Sequence, residues 1–315
     1  MHKALLLYNP LSGQRQERRL QDIETALSIL RSAGIEAYSL PTQSGADATD
    51  QARQVMATGC DTVFACGGDG TIHDVLQGLV GTTVALGVIP MGTANALAHD
   101  LGLPLSPDKA ARAALSAEPR RIAVGHIECR GLAGNEVRRY FTVAAGIGVD
   151  AHLFYKLDPM TKRRFGMISY YLKATLLWLT HRMEKFSVEY ASPENNRTHY
   201  ADVTQLLAVR IRNFGGVLRE LAPGASLEQN NLRLVLFRTR SRLAYLNYVA
   251  CSLAGIKRRF GGIESCDGPD VVCNLTEGSL ASSRIFVEAD GELLGTLPAR
   301  ISMLPDALTL LFPKR

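Results

Sequence analysis

The first 120 residues alternate short apolar runs with helical segments, and this alternation constrains the fold more than any other feature of the sequence. Runs that predict strands occupy 3–8, 35–40, 62–66 and 84–89. Between these runs, apolar residues at helical spacing predict helices; in the first helix they are Leu20, Ile23, Leu27 and Leu30. Gly59 follows the second helix, at a position where a left-handed cap favours glycine. Strand and helix in repeated order predict a parallel sheet that is covered on both faces.

After about residue 120 the pattern changes and strand-like runs dominate. They occupy 122–129, 140–145, 187–190, 203–212, 232–237, 271–275, 284–289, 301–304 and 307–312. Helical spacing interrupts them twice, at 166–181 and at 242–257. We therefore expect a second domain of mainly antiparallel β structure, and 315 residues suffice for two domains that each bury a core. The last run, 307–312, fits either domain.

Three loops that follow predicted strands are rich in glycine or hydroxyl residues: 9–13, 67–71 and 90–95. In open α/β sheets, ligands bind beyond the carboxyl ends of the strands. Glycine lets the backbone approach a ligand, and a helix N-terminus supplies N–H groups and a partial positive charge. Together these loops predict a phosphate-binding site.

The loop Gly67-Gly68-Asp69-Gly70-Thr71 narrows the kind of phosphate site. The sequence has no GxxxxGK[ST] motif, which excludes a P-loop, and the third glycine of the dinucleotide fingerprint is missing. An acid between the glycines suits a Mg²⁺ ion carried on the phosphates better than direct contact with an anion. The alternative is a tight strand-to-helix turn that Asp69 or Thr71 caps.

A second acidic motif, Asp290-Gly291-Glu292, lies far downstream at the end of a predicted strand. Asp-Gly after a strand is a common hairpin turn, and that alternative stays open from spacing alone. The functional interpretation is a pair of carboxylates that removes the proton from an acceptor hydroxyl.

These residues together resemble the diacylglycerol kinase catalytic-domain family, the bacterial lipid kinases that are related to sphingosine kinases. The resemblance spans essentially the whole chain, because the matching pieces fall in the family's order and at its spacing. The matching pieces are Asn9-Pro10-Leu11-Ser12-Gly13, Gly67-Gly68-Asp69-Gly70-Thr71-Ile72, Pro90-Met91-Gly92-Thr93-Ala94-Asn95, Ala222-Pro223 and Asp290-Gly291-Glu292.

The resemblance implies an α/β nucleotide-binding domain with a parallel sheet, similar to that of NAD kinase and phosphofructokinase, and a second, mainly antiparallel β-sandwich domain. Residues 1–120, with 305–315 returning, would form the ATP-binding domain, and 121–304 the β-rich lipid-substrate domain. ATP would lie in the cleft between them.

The resemblance also implies roles for particular residues. Asn9 and Asn95 would brace the loops, Asp69 would hold Mg²⁺, and Asp290 would accept the proton with Glu292 close by. The residues expected to form the nucleotide site are Asn9, Thr42, Gly67, Gly68, Asp69, Gly70, Thr71, Ile72, His73, Thr93 and Asn95.

The chain departs from the family pattern in several places. Many relatives carry Asp-Gly on a loop after Ala-Pro that binds a structural Mg²⁺, where this chain has Gln229 and Asn230. A second metal is therefore doubtful unless Glu228 substitutes. His73 replaces a frequent asparagine, and the patch 213–216 is shorter than usual.

The amino-acid composition indicates which binding partners and which cellular compartment to expect for this protein. The formal net charge is +5, from 35 Lys and Arg against 30 Asp and Glu, which suits an anionic partner. Six cysteines without a CxxC pair, no signal-peptide pattern and no long apolar run predict a cytoplasmic protein without a transmembrane segment. No nucleic-acid-binding module is recognisable, so nucleic acid is not expected as a partner.

A lipid substrate would bring the protein to the inner face of a membrane as a peripheral enzyme. Two segments that combine cations with apolar bulk, 162–179 and 257–260, suit that contact, with a core position as the alternative for both. An NAD kinase-like enzyme and an inactive nucleotide- or lipid-binding module are the alternative functions. The acceptor lipid and the oligomeric state are left open, a homodimer included.

Overall fold

A computed structural model describes residues 1–10, 16–149, 151, 183–193, 197–215, 220–256, 261–276 and 284–314. Two compact units make up the chain. The first contains Met1–Val124, Ile211–Arg219 and Leu304–Arg315, and the second contains Gly125–Arg210 and Glu220–Met303. The domain boundaries drawn from the sequence stay a prediction.

The first unit is built on a parallel sheet. Its strands are β1 (Lys3–Tyr8), β2 (Glu36–Pro41), β3 (Thr62–Gly67) and β4 (Ala85–Pro90), in the order β4-β3-β1-β2. Its helices are α1 (Gln16–Ser32), α2 (Gly45–Gln54), α3 (Asp69–Leu79), α4 (Ala96–Asp100) and α5 (Pro107–Ala114). Near the end of the chain Thr309 pairs in parallel with Ala85. The pairs β4–β3, β3–β1 and β1–β2 are all parallel, as the alternation of strands and helices predicts.

The core of the first unit explains why its strands read as continuous apolar runs. All residues of β3 and β4 are buried, because helices cover both faces of a parallel sheet. On α1, Ile23, Leu27 and Leu30 are buried as their spacing predicts, whereas Leu20 is 57% exposed and its neighbour Arg19 is buried. Near the start of α1, the buried position is therefore 19 and not 20.

Two local contacts complete this unit. Gly59 has φ 74° and ends a short 3₁₀ turn, Val55–Thr58, which confirms the predicted left-handed cap. The carboxylate of Asp100 accepts the backbone N–H groups of Arg212 and Asn213, both at 2.9 Å, and so ties the segment 211–215 to the end of α4.

The second unit contains antiparallel strands. They are β5 (Glu118–Gly131), β6 (Glu136–Phe141), β7 (Ala144–Gly148), β8 (Phe186–Ala191), β9 (Thr198–Val203), β10 (Gln205–Val209), β11 (Leu232–Phe237), β12 (Ile263–Gly268), β13 (Asp270–Leu275), β14 (Phe286–Ala289) and β15 (Glu292–Phe312), of which β5 and β15 also extend into the first unit. Within the unit the main path is β12-β11-β10-β7-β14-β15. One helix, α6 (Arg242–Leu253), follows β11. The core packs side chains such as Phe141, Phe186 and Leu234.

A buried arginine organises one loop of this unit. Arg210 follows β10 and has no exposed surface. Its Nη1 donates to the carbonyl oxygens of Gln229 (2.6 Å) and Asn231 (3.1 Å), and its Nη2 donates to that of Leu227 (3.1 Å). Its backbone N–H donates to Val143 O at 2.9 Å. A buried cation is stable here because carbonyl dipoles surround it.

No helix among the described residues is both long and apolar enough to cross a membrane. The sequence segments 162–179 and 257–260, expected at a membrane, lie outside the described residues, as does the predicted helix at 166–181.

We expect Arg210→Met to lower the free energy of unfolding by about 3 kcal/mol, since each lost hydrogen bond to a buried carbonyl costs about 1 kcal/mol. Urea denaturation followed by circular dichroism measures the change. Arg240→Met, at an exposed position, is the matched control and should unfold like the wild type. Equal midpoints for both variants would show that the guanidinium does not hold the loop.

Candidate active site

Two glycine-bearing loops leave neighbouring strands of the first unit at the same edge. Strands β3 and β4 are paired in parallel, with Gly67 opposite Pro90, so the loops that follow them lie side by side. The backbone N–H of Met91 donates to Gly67 O at 2.8 Å and links the two loops. The two motifs that the sequence analysis singled out therefore form one structural feature.

Glycine is required where these loops meet. A Cβ atom on Gly92 would lie 2.4 Å from the Cα of Gly68, and a Cβ on Gly67 would lie 2.3 Å from Thr71 Oγ1. No L side chain fits in those gaps without a shift of the backbone. The contact explains both glycines by packing and leaves the N-terminal turn of α3 at the edge of the sheet.

Helix α3 starts inside the first motif. Gly68 is its N-cap and Asp69 its first residue, and Gly68, Asp69 and Gly70 are all half-buried. A helix N-terminus with glycine on either side of its first residue presents backbone N–H groups to an anion. Further along the helix, Thr71, Ile72 and His73 are buried. These three side chains therefore pack inside the unit, while the half-buried residues 68–70 lie nearer the surface.

Asn95 shapes the second loop. It has φ 52°, in the left-handed region, and its side chain forms two hydrogen bonds with the backbone of Gly92. Its Oδ1 accepts the N–H at 2.9 Å and its Nδ2 donates to the carbonyl oxygen at 3.0 Å. Thr93, between them, is exposed. Asn95 thus closes the turn that presents Thr93.

Asn9 and Thr42 lie at the same edge as the two loops. Asn9 follows β1 and Thr42 follows β2, and these strands are parallel neighbours. The N–H of Thr42 donates to Tyr8 O at 2.8 Å, and its Oγ1 donates to the same oxygen at 3.4 Å. The expected nucleotide residues of the first unit therefore follow four adjacent strands. Residues 11–13 of the first loop lie outside the described residues.

Arg19 is a site-neighbouring residue that the sequence analysis missed. It is buried, and its Nη2 donates to Met91 O at 3.3 Å, in the second loop. Burial lowers the pKa of Arg19 from its ordinary value. The available signal was its position four residues before Ile23, which places it on the buried face of α1.

Cys66, the residue before the first motif, has no catalytic role in this arrangement. It is completely buried, and burial raises the pKa of its thiol far above the ordinary range. The thiol is therefore neutral, and a neutral thiol is a poor nucleophile.

In the second unit, Asp290 follows β14 and its carboxylate is fixed by backbone donors. Oδ2 accepts the N–H of Thr142 at 3.0 Å, and Oδ1 accepts those of Val143 (2.9 Å) and Ala144 (3.1 Å). The backbone N–H of Asp290 in turn donates to Ala144 O at 2.8 Å. The junction of β6 and β7 thus holds the carboxylate in one orientation. Sequence reasoning missed these donors because backbone N–H groups leave no residue-type signal.

The turn around Asp290 is braced by a buried acid. Asp290 and Gly291 both have positive φ, 50° and 83°. Glu288, two residues earlier on β14, is buried, and its Oε2 accepts the N–H of Gly291 at 2.9 Å. Glu292 is exposed. The hairpin and the carboxylate site are therefore the same feature, so the two interpretations of this motif are compatible.

The described residues contain no group of three or more His, Cys, Asp or Glu side chains arranged for a metal ion. A Mg²⁺ ion that arrives on nucleotide phosphates needs only one or two carboxylates, and Asp69 at the start of α3 fits that requirement. The loop after Ala222-Pro223 does not fit a structural Mg²⁺. Its carbonyl oxygens at 227, 229 and 231 accept from the Arg210 guanidinium, and Glu228 is exposed.

Two family models match most of the chain. The family model for the diacylglycerol kinase catalytic domain matches residues 3–127, and that for the YegS C-terminal NAD kinase beta sandwich-like domain matches residues 142–312. A diacylglycerol kinase of Bacillus subtilis (strain 168) is 27% identical over 317 residues, covering 100% of this chain and 97% of the relative. A diacylglycerol kinase of Mycobacterium tuberculosis (strain H37Rv) is 27% identical over 313 residues, covering 99% and 96%.

Solved structures show the same fold. A diacylglycerol kinase structure from Bacillus anthracis str. Sterne matches with a TM-score of 0.70 at 19% identity, over 99% of this chain and 97% of the other. Yeast NADH kinase in complex with NADH matches with a TM-score of 0.52 at 9% identity, over 100% and 84%. The predicted fold class, a parallel α/β part and a β-sandwich-like part, is confirmed. The chain belongs to the diacylglycerol kinase catalytic-domain family of lipid kinases.

Proposed function

We propose that this protein is an ATP-dependent lipid kinase, which transfers the γ-phosphate of ATP to a hydroxyl group of diacylglycerol or a related lipid. The observation that carries the proposal is the contact of the two glycine loops at Gly68 and Gly92, with the acid of Asp69 in the first turn of α3. Family membership supplies the class of reaction.

The nucleotide side of the proposal rests on the first unit. The phosphates of ATP bind against the backbone of 67–71, with the loop 90–95, Asn9 and Thr42 completing the site at the carboxyl ends of the strands. The Asp69 carboxylate would hold Mg²⁺. When bound, the metal neutralises charge on the phosphates, which lowers the barrier to phosphoryl transfer.

The acceptor side rests on Asp290. The lipid hydroxyl oxygen forms a bond to the γ-phosphorus while the bond from that phosphorus to the β–γ bridging oxygen breaks, and ADP leaves. The hydroxyl proton passes to the Asp290 carboxylate. Three backbone N–H groups orient that carboxylate before the substrate arrives, so no reorientation is needed during transfer. Glu292 lies two residues away, at the start of β15.

NAD kinases share this fold, so phosphorylation of NAD is the alternative enzymatic activity. The likeness to yeast NADH kinase, at 9% identity, concerns the fold alone. Relatives aligned along the whole chain carry the name diacylglycerol kinase, which favours a lipid acceptor. The presence of both Asp69 and Asp290 favours an active enzyme over an inactive binding module.

We expect Asp290→Asn to lower kcat by about 10²–10⁴-fold, the usual contribution of a general base, with little change in KM for ATP. The measurement is steady-state transfer of labelled γ-phosphate to diacylglycerol in mixed micelles. Asp202→Asn, an exposed carboxylate on β9, is the matched control. Thermal melting of both variants verifies that they are folded. A kcat equal to that of the wild type would remove Asp290 from the mechanism.

Gly92→Ala should lower kcat/KM for ATP by roughly 10²-fold, because its Cβ would force the two loops apart and displace the phosphates from α3. The atom would lie 2.4 Å from the backbone of Gly68, whereas a Cβ on Gly261 meets nothing within 4 Å. Gly261→Ala is therefore the control. If ATP kinetics and binding are unchanged in Gly92→Ala, the loops do not form the nucleotide site.

A further inference from the structure

Helix α6 is apolar on both of its sides, and one side anchors it to the second unit. Tyr245 and Tyr248 are buried. The ring of Tyr245 stacks on Phe237 with centroids 4.5 Å apart, and its hydroxyl is 2.7 Å from Thr204 Oγ1. Tyr248 packs edge-on against the same Phe237, at 5.2 Å, and donates to the carbonyl oxygen of Leu221. The inner side thus fixes the helix in place.

The outer side of α6 exposes large apolar side chains. Leu243, Leu246 and Val249 are 77%, 52% and 40% exposed, and Ile256, just past the helix, is 57% exposed. Positions three residues apart on a helix are neighbours, so the three helical residues form one patch. The other exposed large apolar residues described in this unit, Leu132, Tyr200 and Leu275, are dispersed along its strands and loops. A contiguous exposed apolar patch marks a contact surface.

The stretch of sequence that contains this patch carries charges of one sign. Between 238 and 262 the sequence has six Lys and Arg residues and no Asp or Glu: Arg238, Arg240, Arg242, Lys257, Arg258 and Arg259. Arg238 is paired with Glu264 on β12, at 3.0 Å. Arg240 and Arg242 are exposed at the start of α6. An apolar face bordered by cations complements an anionic lipid surface.

We propose that the outer face of α6, formed by Leu243, Leu246 and Val249 with Arg240 and Arg242 beside it, docks on a bilayer that contains anionic phospholipid. The leucines enter the boundary between head groups and acyl chains, and the arginines contact lipid phosphates. A second copy of the chain fits less well, since a two-fold contact through this face would bring like charges together. The proposal rests on the proposed function in that a lipid kinase takes its substrate from a bilayer.

Vesicle flotation tests the proposal without any catalytic step. The probes are vesicles of phosphatidylcholine with or without phosphatidylglycerol. Leu243→Ser/Leu246→Ser should reduce binding to the anionic vesicles by at least about tenfold, since each leucine loses its apolar transfer free energy. Arg240→Gln/Arg242→Gln should reduce binding to anionic vesicles and not to neutral ones. Leu132→Ser/Tyr200→Ser, at exposed apolar positions elsewhere in the unit, is the control and should bind like the wild type.

Unchanged vesicle binding in the leucine variant would overturn the proposal. A second result would also overturn it: sedimentation velocity shows a dimer for the wild type and a monomer for the leucine variant, while both bind vesicles equally. Activity separates this proposal from the kinase itself: the ratio of turnover on long-chain diacylglycerol in vesicles to turnover on dispersed short-chain diacylglycerol should fall in the leucine variant. If the wild type binds vesicles but phosphorylates neither lipid, and the leucine variant loses vesicle binding, the docking face is upheld and the kinase activity is contradicted.

Discussion

The parallel pairing of β1, β3 and β4 is the constraint on which the candidate nucleotide site depends. Parallel strands end at a common edge, so the loops after them meet there without any long-range contact between side chains. The close approach at Gly68 and Gly92 then fixes the distance between two of these loops. The buried Arg19 donates a hydrogen bond to the backbone of the second loop at Met91, and the side chain of Asn95 closes that loop through its bonds to Gly92. The site is thus mostly backbone, held by a few side chains.

In the second unit, backbone groups likewise position a candidate functional group, the carboxylate of Asp290. Asp290 is oriented by three backbone N–H groups, and the central one belongs to Val143. The carbonyl of Val143 accepts the backbone N–H of Arg210, whose guanidinium binds the loop 227–231. A buried side-chain cation therefore holds this loop, at which the residues Gln229 and Asn230 made a structural metal doubtful. One short chain of hydrogen bonds therefore connects the loop 227–231 to the backbone that orients Asp290.

The sequence predicts the four parallel strands and first three helices of the first unit because their signals are local, whereas the short helices α4 and α5 were not predicted. Apolar runs that are buried on both faces mark its strands, and Gly59 marks a helix end. In the second unit β9 and β12 were missed, and β15 was read as two shorter runs. These strands carry many polar or exposed residues, and their pairing depends on partners far away in the chain. For the same reason residue types do not predict the backbone donors to Asp290 or the hydrogen bonds of Arg210. The motifs around Asp69 and Asp290 do single out these two residues as candidates for the site.

The central claim is that this chain moves a phosphoryl group from ATP to a lipid hydroxyl. The most direct measurement offers the purified protein labelled ATP and Mg²⁺ with a panel of acceptors: diacylglycerol, phosphatidylglycerol, ceramide, a sphingoid base and NAD. Lipids are presented in mixed micelles and NAD in solution. We predict label in a lipid, with diacylglycerol or a related glycerolipid foremost. Label in NAD alone, or in none of the acceptors, would contradict it.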